Sequence, residues 1–187
     1  RHANLVLADG VPVLWASRLL GVPLREKISG SDLIVWLTEF AAQKGHSVFL
    51  FGAAEGVADA AARELKNRFP ALKIVGTHCP PLGFESNPES NETSLDAIRA
   101  AHPDICFVAL GSPKQELWMH AHYASSGARL MIGVGASFDF LSGRVRRAPR
   151  FMQTAGFEWL WRLCREPRRL WKRYLVEYKK TEGEKPR

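Results

Sequence analysis

The chain has 187 residues, 46% of them hydrophobic, enough to bury one substantial core. Its three cysteines, Cys79, Cys106 and Cys164, are scattered without C-x-x-C spacing, which argues against a disulfide framework and a cysteine zinc site and fits a reducing cytoplasm. The net charge of +7 is uneven: from Arg144 to Arg187 there are 14 Lys and Arg against 5 Asp and Glu, while the rest of the chain carries 12 against 14. A basic block of this kind usually meets phosphates, on nucleic acid, on lipid headgroups or on a diphosphate substrate. No apolar run approaches the roughly 18 residues of a membrane span, and no signal peptide is visible.

Asn4 to Ala8 is a short apolar run ending in Asp9-Gly10, which predicts a strand and a turn. Val11 to Leu20 has helical spacing, with Trp15, Leu19 and Leu20 on one side, and Gly21-Val22-Pro23 stops it. A helix through Lys44 follows, with Ser31 or Asp32 expected as its cap and Leu33, Ile34, Leu37 and Phe40 on its apolar face. Ser47 to Phe51 predicts a buried strand, Gly52 to Gly56 a small-residue loop, Val57 to Phe69 a helix, and Lys73 to Gly76 a short strand. The prolines and Gly83 between Thr77 and Pro88 predict an irregular loop of a length usually kept for function. Glu89 to Ala101 reads as a helix.

Ile105 to Leu110 is the clearest buried strand. After Gly111, Ser112 is expected at the N-cap and Pro113 at the first position of a helix from Lys114 to Tyr123. Arg129 to Val134 is another strand, followed by a Gly135-Ala136-Ser137-Phe138-Asp139 loop. Strand and helix thus alternate, which predicts an α/β fold: a Rossmann-like, mainly parallel sheet flanked by helices, in a core spanning 1–143. Beyond Gly143 the basic connector 144–150 leads to helical segments at Phe151 to Leu163 and Arg165 to Tyr178. These make 144–180 a basic, aromatic appendage, and 181–187 a frayed tail.

In a parallel sheet the strand-end loops share one edge. Asp9, the Gly52–Gly56 loop, Lys114-Gln115-Glu116 and Asp139 are therefore expected to converge. Read singly, Asp9-Gly10 is also an ordinary turn pair, and Gly133-Val134-Gly135 is half a dinucleotide fingerprint without its third glycine. His120 and His122 point to different helix faces, so they do not share a metal. No Asp-x-Asp pair is present to hold a divalent metal against a nucleotide diphosphate, which leaves helix N-termini and the basic block to meet such a charge.

These stretches together resemble the WecG/TagA/CpsF family of bacterial glycosyltransferases. The resemblance is carried by Ala8-Asp9-Gly10, Gly30-Ser31-Asp32, Phe51-Gly52 and Gly111-Ser112-Pro113-Lys114-Gln115-Glu116. It continues through Gly133 to Asp139, Arg147-Ala148-Pro149, Glu158 to Leu163 and Glu166-Pro167-Arg168-Arg169, and covers about Asn4 to Tyr178.

It implies transfer of a sugar, of the N-acetylmannosamine type or a related hexose, from a UDP-sugar to a polyprenyl-diphosphate-linked acceptor. The transfer would invert the anomeric centre without metal or other cofactor, in cell-surface polysaccharide synthesis such as that of teichoic acid or exopolysaccharide. By the same resemblance Asp9 is the general base and Gln115 lies near the sugar. Asp139 lies near the uracil, and Gly10, Gly52, Gly111, Pro113, Lys114, Glu116, Gly135 and Phe138 complete the substrate site. Arg162, Arg169 and Lys172, with Arg173 beside it, fall on the diphosphate-binding positions; a lysine keeps the charge and loses the two-pronged contact. The appendage is expected to touch an anionic membrane on the inner face of the bacterial plasma membrane, where its tryptophans and basic residues suit the interface. Nucleic acid is not expected as a partner, and homo-oligomerisation stays open. The family carries some tens of residues ahead of the Asp9 motif, including a Thr/Asn stretch, so the core read from this sequence is expected to lack its first strand.

Two other functions are compatible with the residues alone. A nucleotide-binding oxidoreductase would use the α/β core and Gly133-Val134-Gly135. A basic nucleic-acid-binding module would use the C-terminal helices and would not need Asp9.

Overall fold

The computed structural model describes residues 3–154 and 156–165, which fall into two units. The first holds residues 3–9 and Lys27–Arg146; the second holds Gly10–Glu26 and the described residues from Arg147 onward.

In the first unit four strands, β1 (Ser47–Gly52), β2 (Lys73–His78), β3 (Ile105–Ala109) and β4 (Leu130–Gly133), form an all-parallel sheet in the order β2-β1-β3-β4. Parallel neighbours need long crossovers. After α1 (Val11–Leu19, in the second unit) and α2 (Gly30–Lys44), the crossovers are supplied by α3 (Val57–Arg68), α4 (Pro88–Ala101) and α5 (Lys114–Ser126). α6 (Ser137–Leu141) follows β4. The result is the expected α/β, Rossmann-like sheet flanked by helices.

The strand period of two sends alternate residues to opposite faces. Val48, Leu50, Ile105 and Phe107 join Ile34, Leu65, Leu72 and Phe138 in one core cluster. Phe49, Phe51, Cys106 and Val108 join Phe84, Leu95, Ile98 and Trp118 in the other. Burial leaves β1 and β3 without an exposed side chain, as their continuous apolar runs require.

Several expectations change. Asn4 to Ala8 forms no strand; Leu5 and Val6 are 74% and 80% exposed, and the segment is tied down by a bond from Ile28 N–H to Ala8 O, 2.9 Å. An apolar run without a neighbouring strand leaves its backbone groups to water and gains nothing by extending. α2 is capped by Ser29 rather than Ser31 or Asp32. Ser29 Oγ accepts from Asp32 N–H (3.3 Å), the N-cap half of a capping box, and its hydroxyl donates to the Asp32 carboxylate (Oδ2, 2.6 Å) at the third helical position.

The 77–88 loop is less irregular than its prolines suggest. β2 runs on to His78, and a 3-10 turn at Phe84–Ser86 places Phe84 in the core, edge-on to Phe51 at 5.8 Å and 6.0 Å from Trp118. β4 is an edge strand with Leu130 exposed, and the residues after it wind into α6 instead of staying a loop.

In the second unit α1 begins with Gly10 at its N-cap and Pro12 in its first turn. Trp15, Leu19 and Leu20 are all substantially exposed. The stretch read as one helical segment from Phe151 is two helices, α7 (Arg150–Thr154) and α8 (Glu158–Arg165), separated by a turn at Gly156 whose Cα packs against Val11 and Trp15. Arg147 Nε lies 3.6 Å from the Glu158 carboxylate. The helix expected from Arg165 to Tyr178 lies, past its first residue, outside the described residues, as does the 181–187 tail. Among the described residues no helix is long and apolar enough to cross a membrane.

Candidate functional site

The sheet order reverses direction between β1 and β3. The chain leaves β1 toward β2, then crosses back over to β3 and β4. At such a switch point the strand-end loops diverge and open a crevice at the carboxyl edge. Gly52-Ala53 ends β1 there, Gly111 to Glu116 follows β3, and Gly135 to Asp139 follows β4.

Gly52 is buried at φ +102, and its Cα faces the β3 backbone so closely that a Cβ would sit 2.8 Å from Ala109 O. Ala53 N–H donates to the same carbonyl at 2.8 Å. Gly52 therefore lets the end of β1 lie flush on β3, inside the sheet rather than on the open edge.

After β3 the Ser112–Pro113 peptide is cis, and Pro113, not Ser112, occupies the N-cap of α5 with no side-chain cap. Gln115 N–H closes the turn onto Gly111 O at 2.9 Å. The Gln115 side chain does not reach outward. It is 7% exposed, its Oε1 accepts from Gly135 N–H (3.1 Å), and its Nε2 donates to Glu116 Oε1 (3.0 Å). Lys114 is exposed and ion-paired to Glu85 of the 77–88 loop. The hydrogen bond from the Lys114 ammonium, ahead of other causes, holds the Glu85 carboxyl below its usual range.

The turn after β4 is joined to α2. Gly30 packs on Val134, where a Cβ would lie 3.0 Å from the carbonyl oxygen, and Ser31 Oγ sits 3.3 Å from Ser137 Oγ. Ser137 Oγ also donates to Val134 O at 2.5 Å. Phe138 is 0% exposed and belongs to the core, so it anchors α6 and cannot touch a ligand at the edge. Asp139 is half-buried, and its carbonyl accepts from Val145 N–H at 3.1 Å. Asp9 is exposed and is tethered next to this region, because Ala8 O is bonded to Ile28 N–H one residue before the Ser29 cap of α2. Asp9 is thus linked to the start of α2, and the start of α2 to the β4–α6 turn.

The edge therefore gathers Lys114, Glu116, Gly135 and Asp139, with Asp9 connected through α2. Gly52, Gln115 and Phe138 are buried behind it. Gly10 is the N-cap of α1, and Gly111 and Pro113 shape the α5 entry. Arg162 lies on α8, but its side chain is outside the described residues, as are Arg169, Lys172 and Arg173 altogether. Sequence reasoning missed Glu85, Ser137 and the structural role of Ser31. Gly30-Ser31-Asp32 was visible as one of the stretches that carry the resemblance; nothing in the sequence paired Glu85 with Lys114 across 29 residues.

Three further titratable groups near the sheet are held by burial and by their neighbours. His78 stacks on Phe51 at 5.9 Å, lies 3.2 Å from Ser94 Oγ, and has its pKa lowered by burial. Cys79 has its thiol pKa raised by burial first and then by Glu55 and Asp59. His122 packs on Trp118 and accepts from Asn91 Nδ2 at 3.3 Å. Among the described residues no three His, Cys, Asp or Glu side chains cluster in a way that can hold a metal ion.

Fold and edge together define a doubly wound α/β protein with the switch point of its sheet between β1 and β3. A family model described as "Glycosyl transferase WecG/TagA/CpsF family" matches residues 1–181, and the chain belongs to that family. Curated relatives from Bacillus spizizenii W23, Bacillus subtilis 168 and Staphylococcus aureus MW2 are 37%, 35% and 33% identical to it, each across 92% of the chain. All three are named N-acetylglucosaminyldiphosphoundecaprenol N-acetyl-beta-D-mannosaminyltransferase. The chain spans 65%, 65% and 64% of those relatives' lengths.

Proposed function

We propose that the protein is a metal-independent, inverting glycosyltransferase. It moves an N-acetylmannosamine-type sugar from a UDP-sugar to a polyprenyl-diphosphate-linked saccharide at the inner face of the bacterial plasma membrane. The observation that carries this reading is the similarity, over 92% of the chain, to relatives named for such a transfer to a diphosphoundecaprenol acceptor.

Inversion in one step needs a carboxylate to take a proton and positive groups to hold the leaving diphosphate. The acceptor hydroxyl oxygen bonds to the anomeric carbon as the bond from that carbon to the UDP oxygen breaks. The hydroxyl proton passes to Asp9, and the bonding pair leaves with UDP. Asp9 suits the role because it is exposed on a segment tied to the start of α2. Lys114, Glu116, Gly135 and Asp139 line the donor's side of the edge. Arg162, Arg169, Lys172 and Arg173 meet the diphosphate, with charge-assisted bonds that strengthen as UDP departs. The same basic and aromatic C-terminal stretch rests on the anionic membrane that carries the acceptor.

In the full-length protein Asp9→Asn is expected to lower turnover by at least about tenfold, the lower range for loss of a general base. Unchanged turnover rejects Asp9 as the base.

A further inference from the structure

The Gln115 amide is already spent. Both of its polar atoms are bonded within the protein, the acceptor to Gly135 N–H across two strand-end turns and the donor to the neighbouring Glu116 carboxylate. A second, independent feature explains how it fits. Gly133 presents no side chain at the end of β4, and a Cβ there would lie 2.7 Å from Gln115 Nε2 and 3.0 Å from its Cδ. The amide thus lies close against bare backbone, buried, while Glu116 is exposed. A buried amide displaced from these partners would leave a backbone N–H and its own polar atoms unsatisfied, so the arrangement resists opening for a ligand.

We propose that Gln115 is a positioning residue. Its amide locks the β3–α5 turn to the β4–α6 turn and steadies the Glu116 carboxylate, and Glu116 is the group that accepts hydrogen bonds from the donor sugar's hydroxyls. An ionised carboxylate is the stronger acceptor for such hydroxyls, and anchoring one oxygen reduces the freedom lost when the other binds. This assignment rests on the sugar-transfer reading for the role of Glu116, but not for the role of Gln115.

Two readouts on the full-length protein separate these parts. Backbone amide exchange without substrate reads the lock. In Gln115→Met the Gly135 amide is expected to exchange at least about tenfold faster, the loss of one buried hydrogen bond, while β1 and β3 amides stay protected. Gly133→Ala should do the same by pushing the amide aside. Gln115→Glu keeps the acceptor for Gly135 N–H, so protection there persists, but it sets two carboxylates side by side.

Donor kinetics read Glu116. Gln115→Met, Gln115→Glu and Glu116→Gln should each raise the donor KM about tenfold with kcat within about twofold, as one lost charge-assisted bond does. The double variant Gln115→Met with Glu116→Gln should be no worse than the worse single, because one acts through the other. Multiplying effects in the double variant would mean that Gln115 touches the sugar itself and would overturn the proposal. Unchanged Gly135 exchange in Gln115→Met would overturn it as well. If the wild-type protein transfers no sugar, the sugar-transfer reading and the Glu116 role fall together, and the exchange readout alone decides the lock.

Discussion

Replacing Gly52 by alanine tests how the carboxyl edge is built. Two costs are expected at this one position. The residue sits at φ +102, a region where an L side chain is strained by about 1–3 kcal/mol. Its Cβ would also meet Ala109 O at 2.8 Å and Ala109 C at 2.9 Å, both backbone atoms of a central strand that cannot swing away. Forcing such a group into a packed core costs a further 1–3 kcal/mol or so. The sum, about 2–6 kcal/mol, is a large part of a typical stability of about 5–15 kcal/mol. For a chain of this size it corresponds to a fall in Tm of about 4–24 °C.

Gly56→Ala provides the control. Gly56 also has positive φ, at +72, but nothing lies within 4 Å of its Cβ position, so only the conformational cost applies. Thermal unfolding followed by circular dichroism should rank wild type above Gly56→Ala and Gly56→Ala well above Gly52→Ala. A Gly52→Ala protein that melts within about 2 °C of wild type yet loses UDP binding would refute the reasoning, because it would make Gly52 a ligand contact rather than a strand-packing residue.

Other consequences can be checked directly. Asp104 accepts from Ser47 N–H (2.8 Å) and Ser47 Oγ (3.0 Å) and faces Arg129 (3.2 Å) and His46 (3.7 Å). The Ser47 backbone bond, then its hydroxyl, lead the causes that hold the Asp104 carboxyl below its unfolded value of 3.8. A depressed carboxyl stabilises the fold above its unfolded pKa, and that contribution is lost as pH falls through the lower folded value. Acid titration of Tm should therefore show a loss beginning near pH 4 that is smaller in Asp104→Asn; an identical acid limb in both proteins would refute this. A thiol reagent at neutral pH should label exposed Cys164 first and Cys79 slowly, and Cys106 only on unfolding, since burial pushes its thiol up to about 12. Immediate labelling of Cys106 in the folded protein would contradict its place in the core. Replacing Arg169 and Arg173 together by glutamine should weaken binding of the full-length protein to anionic vesicles about thirtyfold, from about 1 kcal/mol per basic residue near the surface. Undiminished binding would remove these residues from the membrane contact.

The sheet was legible in the chain because β1 and β3 are continuous apolar runs, and runs of that length bounded by glycine suit strands buried on both faces. α2 was legible from its apolar spacing. Its cap, expected at Ser31 or Asp32, is Ser29, although the Ser29-x-x-Asp32 spacing was there to be read. What escaped were features decided by tertiary partners. Asn4 to Ala8 has a strand's composition and lacks a neighbour to pair with. Phe138 sits in a stretch that looks like a ligand loop, yet its ring is drawn into the core as α6 packs against α2 and α3.

Gln115 shows the limit most clearly. A glutamine in the first turn of a helix, flanked by lysine and glutamate, carries the pattern of an exposed ligand contact. Its burial depends on Gly133, which lies at the end of β4. The approach of Phe84 to Phe51 and Trp118 is likewise invisible in a loop whose prolines dominate its composition.

The central claim is sugar transfer to a lipid-linked acceptor. The full-length protein would be incubated with UDP-N-acetylmannosamine and an N-acetylglucosaminyl-diphospholipid in the presence of a metal chelator, and the lipid followed by mass spectrometry. The account predicts that the acceptor gains one N-acetylhexosamine, and that Asp9→Asn sharply slows the gain. An acceptor of unchanged mass, with the donor left intact, would contradict it.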